Sequence, residues 1–134
     1  MPYVYQEVKK LEGQPQVDGG DCVALVKALT PGLKGLATVS WRQGKRVVDT
    51  TSLTPGTAIA TFENGRYPNR STGNHAAFFL GYAGKAIWIM DQWKNDPRKP
   101  KVSARVISPG LKNKDGTFRR PSDAADNFYV IELK

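Results

Sequence analysis

The sequence predicts an α+β domain, with helices near the N-terminus packed on an antiparallel sheet of about five to six strands. Three observations carry this. First, the helix-prone run CVALVKAL follows a good capping residue, Asp21, and is stopped by TPG. Second, from residue 37 onward the chain alternates turn-rich stretches with ATVSW, GTAIATF, HAAFFLGY, AIWIMDQW, KVSARVI and NFYVIEL, each rich in β-branched or aromatic residues. Third, HAAFFLGY and AIWIMDQW are separated by so few residues that they should form an antiparallel hairpin.

Taken in order, residues 3–11 suggest a short helix, because Tyr5, Val8 and Leu11 recur at three-residue spacing before EGQPQVDGGD breaks the pattern. A helix from Cys22 to Leu29 follows. The six strand segments come next, joined by TPG, ENGRYPNRSTGN, AGK, KNDPRKP and SPGLKNKDGTFRRPSDAAD. Much of the basic charge falls in RQGKR, KNDPRKPK and KNKDGTFRR, which read as solvated loops. No internal repeat or low-complexity segment interrupts the chain, and at 134 residues it is expected to fold as one domain, 1–134, burying roughly two-thirds of its extended surface.

The single cysteine, Cys22, excludes an internal disulfide, so the thiol is either inert or present for its reactivity. One cysteine and one histidine exclude a zinc-ligand spacing, and no cofactor is expected. MPYVYQEVKKLEG has no basic segment followed by an apolar stretch, so neither a secretory signal nor membrane insertion is expected. Net charge is +8, which favours an anionic partner: nucleic acid, an acidic wall polymer, an anionic membrane surface or an acidic protein. Aromatic-basic signatures of an RNA-binding sheet are missing, and nucleic acid is not the expected partner.

Cysteine chemistry needs a thiolate, a base to take its proton and a polar group to orient that base. Cys22 opens its helix, where unpaired amides and the macrodipole favour an anionic sulfur and can hold an oxyanion. His75, the only histidine, stands at the start of the most apolar strand beside a loop. A two-residue turn at Ala83 and Gly84 would set His75 opposite Gln92, whereas a longer loop or a bulge would bring Asp91 onto its face. A carboxylate stabilises an imidazolium better than an amide does, which favours Asp91 despite the parity. Against this stands a structural reading: Cys22, Leu25, Val26 and Leu29 form one apolar stripe, so a buried inert thiol fits the spacing equally well.

The residues also resemble a family. DCVALV is similar to the D-C-x-x-(aliphatic)-V signature of the papain-like cell-wall hydrolases of the NlpC and CHAP type. LTPGTAIATF is similar to their strand before the histidine, and HAAFFLGY to their histidine strand; WRQGKRV is similar to a stretch in small type VI secretion amidase effectors. Val23, Ala24 and Thr57 depart from the usual pattern. The resemblance covers about residues 18 to 93 and implies a papain-like fold with Cys22 as nucleophile, His75 as base and Asp91 or Gln92 as orienting residue. It further implies that Gln16, six residues before the cysteine, joins the Cys22 amide as an oxyanion donor. Trp93, most economically read as packing, lies beside the proposed site and is expected, with Asn74, to border the substrate.

The activity so implied is cleavage of amide bonds in peptidoglycan stem peptides through a thioester. A chain made in the bacterial cytoplasm without a signal peptide would then act in the periplasm or on the wall after non-classical export, as a toxin does, and an acidic immunity protein would complement the +8 charge. Two rivals remain on sequence: a catalytically silent wall- or protein-binding domain of the same fold, and a basic nucleic-acid-binding domain.

Overall fold

The computed structural model describes residues 3–68, 70 and 73–133, and within them six strands form one antiparallel sheet. The strands are β1 (Trp41–Arg46), β2 (Ala58–Thr61), β3 (Ala76–Ala83), β4 (Ala86–Asp91), β5 (Ser103–Ile107) and β6 (Phe128–Leu133). Their spatial order is β1-β6-β2-β3-β4-β5, so the chain's last strand lies inside the sheet between β1 and β2. The expected α+β class and antiparallel sheet are what is observed.

One α-helix, α1 (Cys22–Leu29), packs on the sheet. Asp21 caps it by accepting the Val23 N–H at 3.2 Å, which satisfies one of the amides a helix start leaves unpaired. At the other end the Thr30 N–H still reaches the Val26 carbonyl, while Thr30 itself is extended and Pro31 follows. Leu25 and Val26 are fully buried against Phe78 of β3, Met90 of β4 and Ile131 of β6, a burial that contributes roughly 1.5–3 kcal/mol for each side chain.

The opposite face of the sheet carries a second core of Ile59, Ala77, Phe79, Ile87, Ile89 and Phe128. With both faces covered, β2 is buried at every position, which is why AIAT shows no polar alternation.

Two expectations are corrected. The segment 3–11 is not a regular helix; only Val8–Leu11 forms a 3-10 turn. The Tyr5 N–H donates to the Gly56 carbonyl at 2.9 Å and the Ala58 N–H to the Tyr3 carbonyl at 2.8 Å, drawing the preceding residues out alongside β2. Gly56, at φ +95°, permits that approach, since a Cβ there would lie 2.1 Å from the Tyr5 oxygen.

The ATVSW segment is likewise a 3-10 turn at Thr38–Ser40, and the strand begins only at Trp41. It runs through WRQGKR, which its charge made look like a loop. As an outer strand paired with β6 alone, β1 keeps Gln43, Lys45 and Arg46 in solvent, and such charge discourages pairing with another chain. Among the described residues, no helix is long and apolar enough to cross a membrane.

Candidate active site

Cys22 is the first residue of α1 and is half-buried. The loop before it is held from β4. The Gln92 amide, fully buried, accepts the Val17 N–H at 2.8 Å and donates to the Val17 and Asp21 carbonyls at 2.9 and 2.7 Å. All of its hydrogen-bonding groups are therefore engaged by the backbone just ahead of the helix. Gln92, expected alongside Asp91 as a partner of His75, is bonded to this backbone instead.

The register of the central hairpin explains why. Ala83 pairs with Ala86, so the turn lies at Gly84 and Lys85, one residue later than expected. A regular ladder from that turn would bring Gln92 to the His75 face. Instead Gly81 pairs with Trp88 while Phe79 pairs with Ile89, which leaves Leu80 as an extra residue. This bulge changes the parity of everything beyond it and puts Asp91 on the same side as His75.

There the imidazole Nε2 lies 2.7 Å from Asp91 Oδ2, with both side chains sealed from solvent. The ring is stacked on Trp93, with centroids 4.5 Å apart and planes 11° apart, and meets the edge of Phe128. Burial pulls the His75 pKa down, but the hydrogen bond to Asp91 and the adjacent Cys22 sulfur outweigh it and raise the value to about 9. For Asp91, burial pushes the pKa up and is outweighed by His75, Arg105 and Lys99, which hold it at about 2. The second ring nitrogen, Nδ1, has no hydrogen-bond partner within normal geometry among the described residues. The Cys22 sulfur is nonetheless close enough to the ring to contribute to the raised His75 pKa.

A groove of ≈590 Å³ opens over Cys22, bordered by Tyr67, Asn74 and Trp93 together with Lys27, Arg70 and Lys94. Asn74 Nδ2 donates to the Tyr67 hydroxyl at 3.3 Å, and burial, followed by the nearby Cys22 sulfur, drives the Tyr67 pKa well above the usual phenol range. Residues 69, 71 and 72 of the NGRYPNRSTGN segment, read from sequence as shaping access to the base, lie outside the described residues.

Residues 3–131 match the family model described as domesticated amidase effector 2. The chain belongs to the domesticated amidase effector 2 family. Within reach of that family, it is 43% identical to the type VI secretion amidase effector 2 protein of Salmonella typhi over 98% of this chain and 100% of the relative. It is 37% identical to domesticated amidase effector 2 of Ixodes scapularis, over 87% of this chain and 74% of that protein. A solved structure of type 6 secretion amidase effector 2 superposes with a TM-score of 0.88 at 42% identity, covering 100% of this chain and 96% of that one. A papain-like α+β architecture, the fold expected from the sequence, agrees with that match.

Of the residues proposed from sequence, this member of the amidase effector 2 family brings Cys22, His75, Asp91, Gln92, Trp93 and Asn74 to one place. Gln16 is not among them. Its Nε2 donates to the Trp93 and Lys99 carbonyls at 2.8 and 3.3 Å, so both amide protons are engaged and none is free for an oxyanion. Sequence reasoning missed Lys99, Arg105 and Tyr67. For Arg105 a signal existed: it shares strand parity with buried Ile107, so a charge there points toward the interior.

Proposed function

We propose that the chain is a cysteine amidase that cleaves amide bonds in peptidoglycan stem peptides, with Cys22 as nucleophile, His75 as acid and base, and Asp91 as the residue that orients His75. The observation that carries this reading is the linear order thiol, imidazole, carboxylate: the sulfur sits at a helix start in a groove, and the ring behind it is fixed by a 2.7 Å bond to a buried carboxylate. The amide of Cys22, at the start of α1, is the oxyanion donor the geometry offers once Gln16 is set aside.

In the reaction, the Cys22 proton resides on His75 and the sulfur attacks the amide carbonyl carbon. The C=O electrons move onto oxygen, held by the helix-start amide. Collapse of that oxyanion breaks the C–N bond as His75 passes its proton to the departing nitrogen, which leaves a thioester. His75 then takes a proton from water, the hydroxide attacks the thioester, and the proton returns to sulfur as the acid departs.

Relatives named as type VI secretion amidase effectors support delivery by such an apparatus, with action in the target periplasm. The basic charge suits both the anionic wall polymer and an acidic immunity protein seated over the groove. Mass analysis of muropeptides released from purified sacculi tests the proposal: wild type yields new stem-peptide products, and Cys22→Ala yields none. Products that persist in Cys22→Ala would end the cysteine mechanism; no products from wild type would end the substrate assignment.

A further inference from the structure

Asp91 carries more positive charge than a residue that merely orients a histidine requires. Arg105 Nε, from β5, lies 2.9 Å from Asp91 Oδ2, the same oxygen that receives His75 Nε2. Lys99 Nζ, from the segment between β4 and β5, lies 3.0 Å from Asp91 Oδ1. The carboxylate is wholly buried, while the two cations are 25% and 12% exposed, so the pairs operate in a poorly solvated setting where charge is weakly screened.

Each cation is itself anchored. Arg105 Nη1 donates to Asp123 Oδ1 at 2.6 Å and Nη2 to the Ser122 carbonyl at 3.2 Å, and the guanidinium carbon sits 5.7 Å from the Trp93 ring that stacks on His75. Lys99 Nζ donates to the Ser103 carbonyl at 3.0 Å and to the Ser103 hydroxyl. The guanidinium thus braces both supports of the imidazole: the carboxylate it bonds and the indole it packs on.

A buried carboxylate facing only an imidazolium would hold the ring's proton so firmly that release to a leaving amine would be slow. Two cations on that carboxylate draw off part of its field. We propose that Arg105 and Lys99 are positioning residues that fix the Asp91 carboxylate and share its charge, so that the protonated His75 can hand its proton to the leaving nitrogen. The proton travels from His75 to the amide nitrogen as the C–N bond breaks; Arg105 and Lys99 stay protonated throughout. The charged and titratable groups bearing on this pair are Cys22 from α1, Lys99, Arg105, and Asp123 behind Arg105. The inference rests on the assignment of Cys22 and His75 made above.

The two explanations for such a cluster differ in sign. If Arg105 and Lys99 share the charge, removing either strengthens the grip of Asp91 on the imidazolium, and the ring loses its proton at higher pH. If they are structural alone, removing either loosens Asp91, and the ring loses its proton at lower pH.

The test measures inactivation of Cys22 by iodoacetate, whose carboxylate is drawn by the protonated ring, and kcat/KM on sacculi, from about pH 5 to about pH 10. It uses the full chain as wild type, Lys99→Met, Arg105→Gln and Arg105→Lys, with a thermal melt for each. In Lys99→Met and Arg105→Gln the alkaline limb should move up by about half a pH unit or more, and kcat should fall about tenfold with KM little changed. Arg105→Lys should restore the limb but not kcat, because an ammonium cannot reproduce the three-pronged contact.

A limb that stays in place or moves down, or a loss confined to KM, overturns the inference. If Arg105→Gln fails to fold, Lys99→Met decides alone, since its methionine keeps most of the aliphatic stem. A wild-type profile without any such limb overturns the nucleophile and base assignment and this inference with it, a result distinct from an unshifted limb in the variants.

Discussion

The His75 imidazole lies flat against the Trp93 indole, 4.5 Å between centroids, and the ring, which also meets Phe128 and Asp91, is wholly buried. Trp93 also borders the groove, so one side chain both covers the imidazole and lines the groove over Cys22. Trp93→Ala should therefore lower kcat/KM by about tenfold or more and cost roughly 2 kcal/mol of stability, whereas Trp93→Phe should retain most of both. Hydrolysis rates set beside urea unfolding will check this; an alanine variant with wild-type turnover would remove Trp93 from the site.

Asp91→Asn and Gln92→Ala separate two neighbours with different tasks. Asp91→Asn should reduce kcat by about 10²- to 10⁴-fold, because the amide no longer stabilises an imidazolium. Gln92→Ala strands three backbone groups near Cys22, and should cost about 3 kcal/mol of stability, with any drop in kcat following the loosened loop. Paired kinetic and denaturation measurements give the answer, and a large stability loss confined to Asp91→Asn would reverse the assignment.

Gln16→Ala should lower kcat by less than tenfold, since an oxyanion donor would be worth about 10²- to 10³-fold and the Gln16 amide is already occupied. Its loss should show in stability instead. Single-turnover acylation with a chromogenic amide is the deciding measurement, and a loss of about 10²-fold in that step would restore Gln16 to the oxyanion site.

Stability should depend on pH through the buried pair. The His75 pKa rises from 6.5 to about 9 on folding, so the ring's contribution is full below pH 6.5 and is lost as pH rises through about 9. The Asp91 pKa falls from 3.8 to about 2, so its contribution is full above pH 3.8 and is lost as pH falls through about 2. These are two views of one interaction and do not add. The wild-type unfolding free energy, taken relative to His75→Ala, should be greatest between those limits and decline from pH 6.5 upward; a flat difference from pH 6.5 to about 9 would count against the protonated ring.

What was legible in the sequence was local. Asp21 before an apolar run marked the start of α1 because a cap acts over two residues, and Cys22 and His75 could be singled out because each is the only residue of its kind. The choice between Asp91 and Gln92 was only faintly legible: Gly81, inside the strand pattern beside the bulge at Leu80, is the one local sign of a register shift, and a glycine alone fixes neither that a bulge forms nor which residue it leaves out. Gln16 misled for a similar reason: its spacing from Cys22 is visible in the chain, but the carbonyls that engage it belong to residues 93 and 99. β1 was hidden by its own charge, which the outer edge of a sheet tolerates and its interior does not.

Consecutive residues at the end of β4 face opposite ways: Asp91 grips the His75 imidazole, and Gln92 grips the turn that presents the Cys22 sulfur. Both halves of the site are thereby measured from a single point, like two jaws riding on one rail. Breathing of the sheet that carries this strand end along moves thiol and imidazole together and keeps their spacing, while detachment of the strand end releases both at once. Heat or denaturant should accordingly abolish turnover in a single step, without passing through a species in which one jaw is still in place.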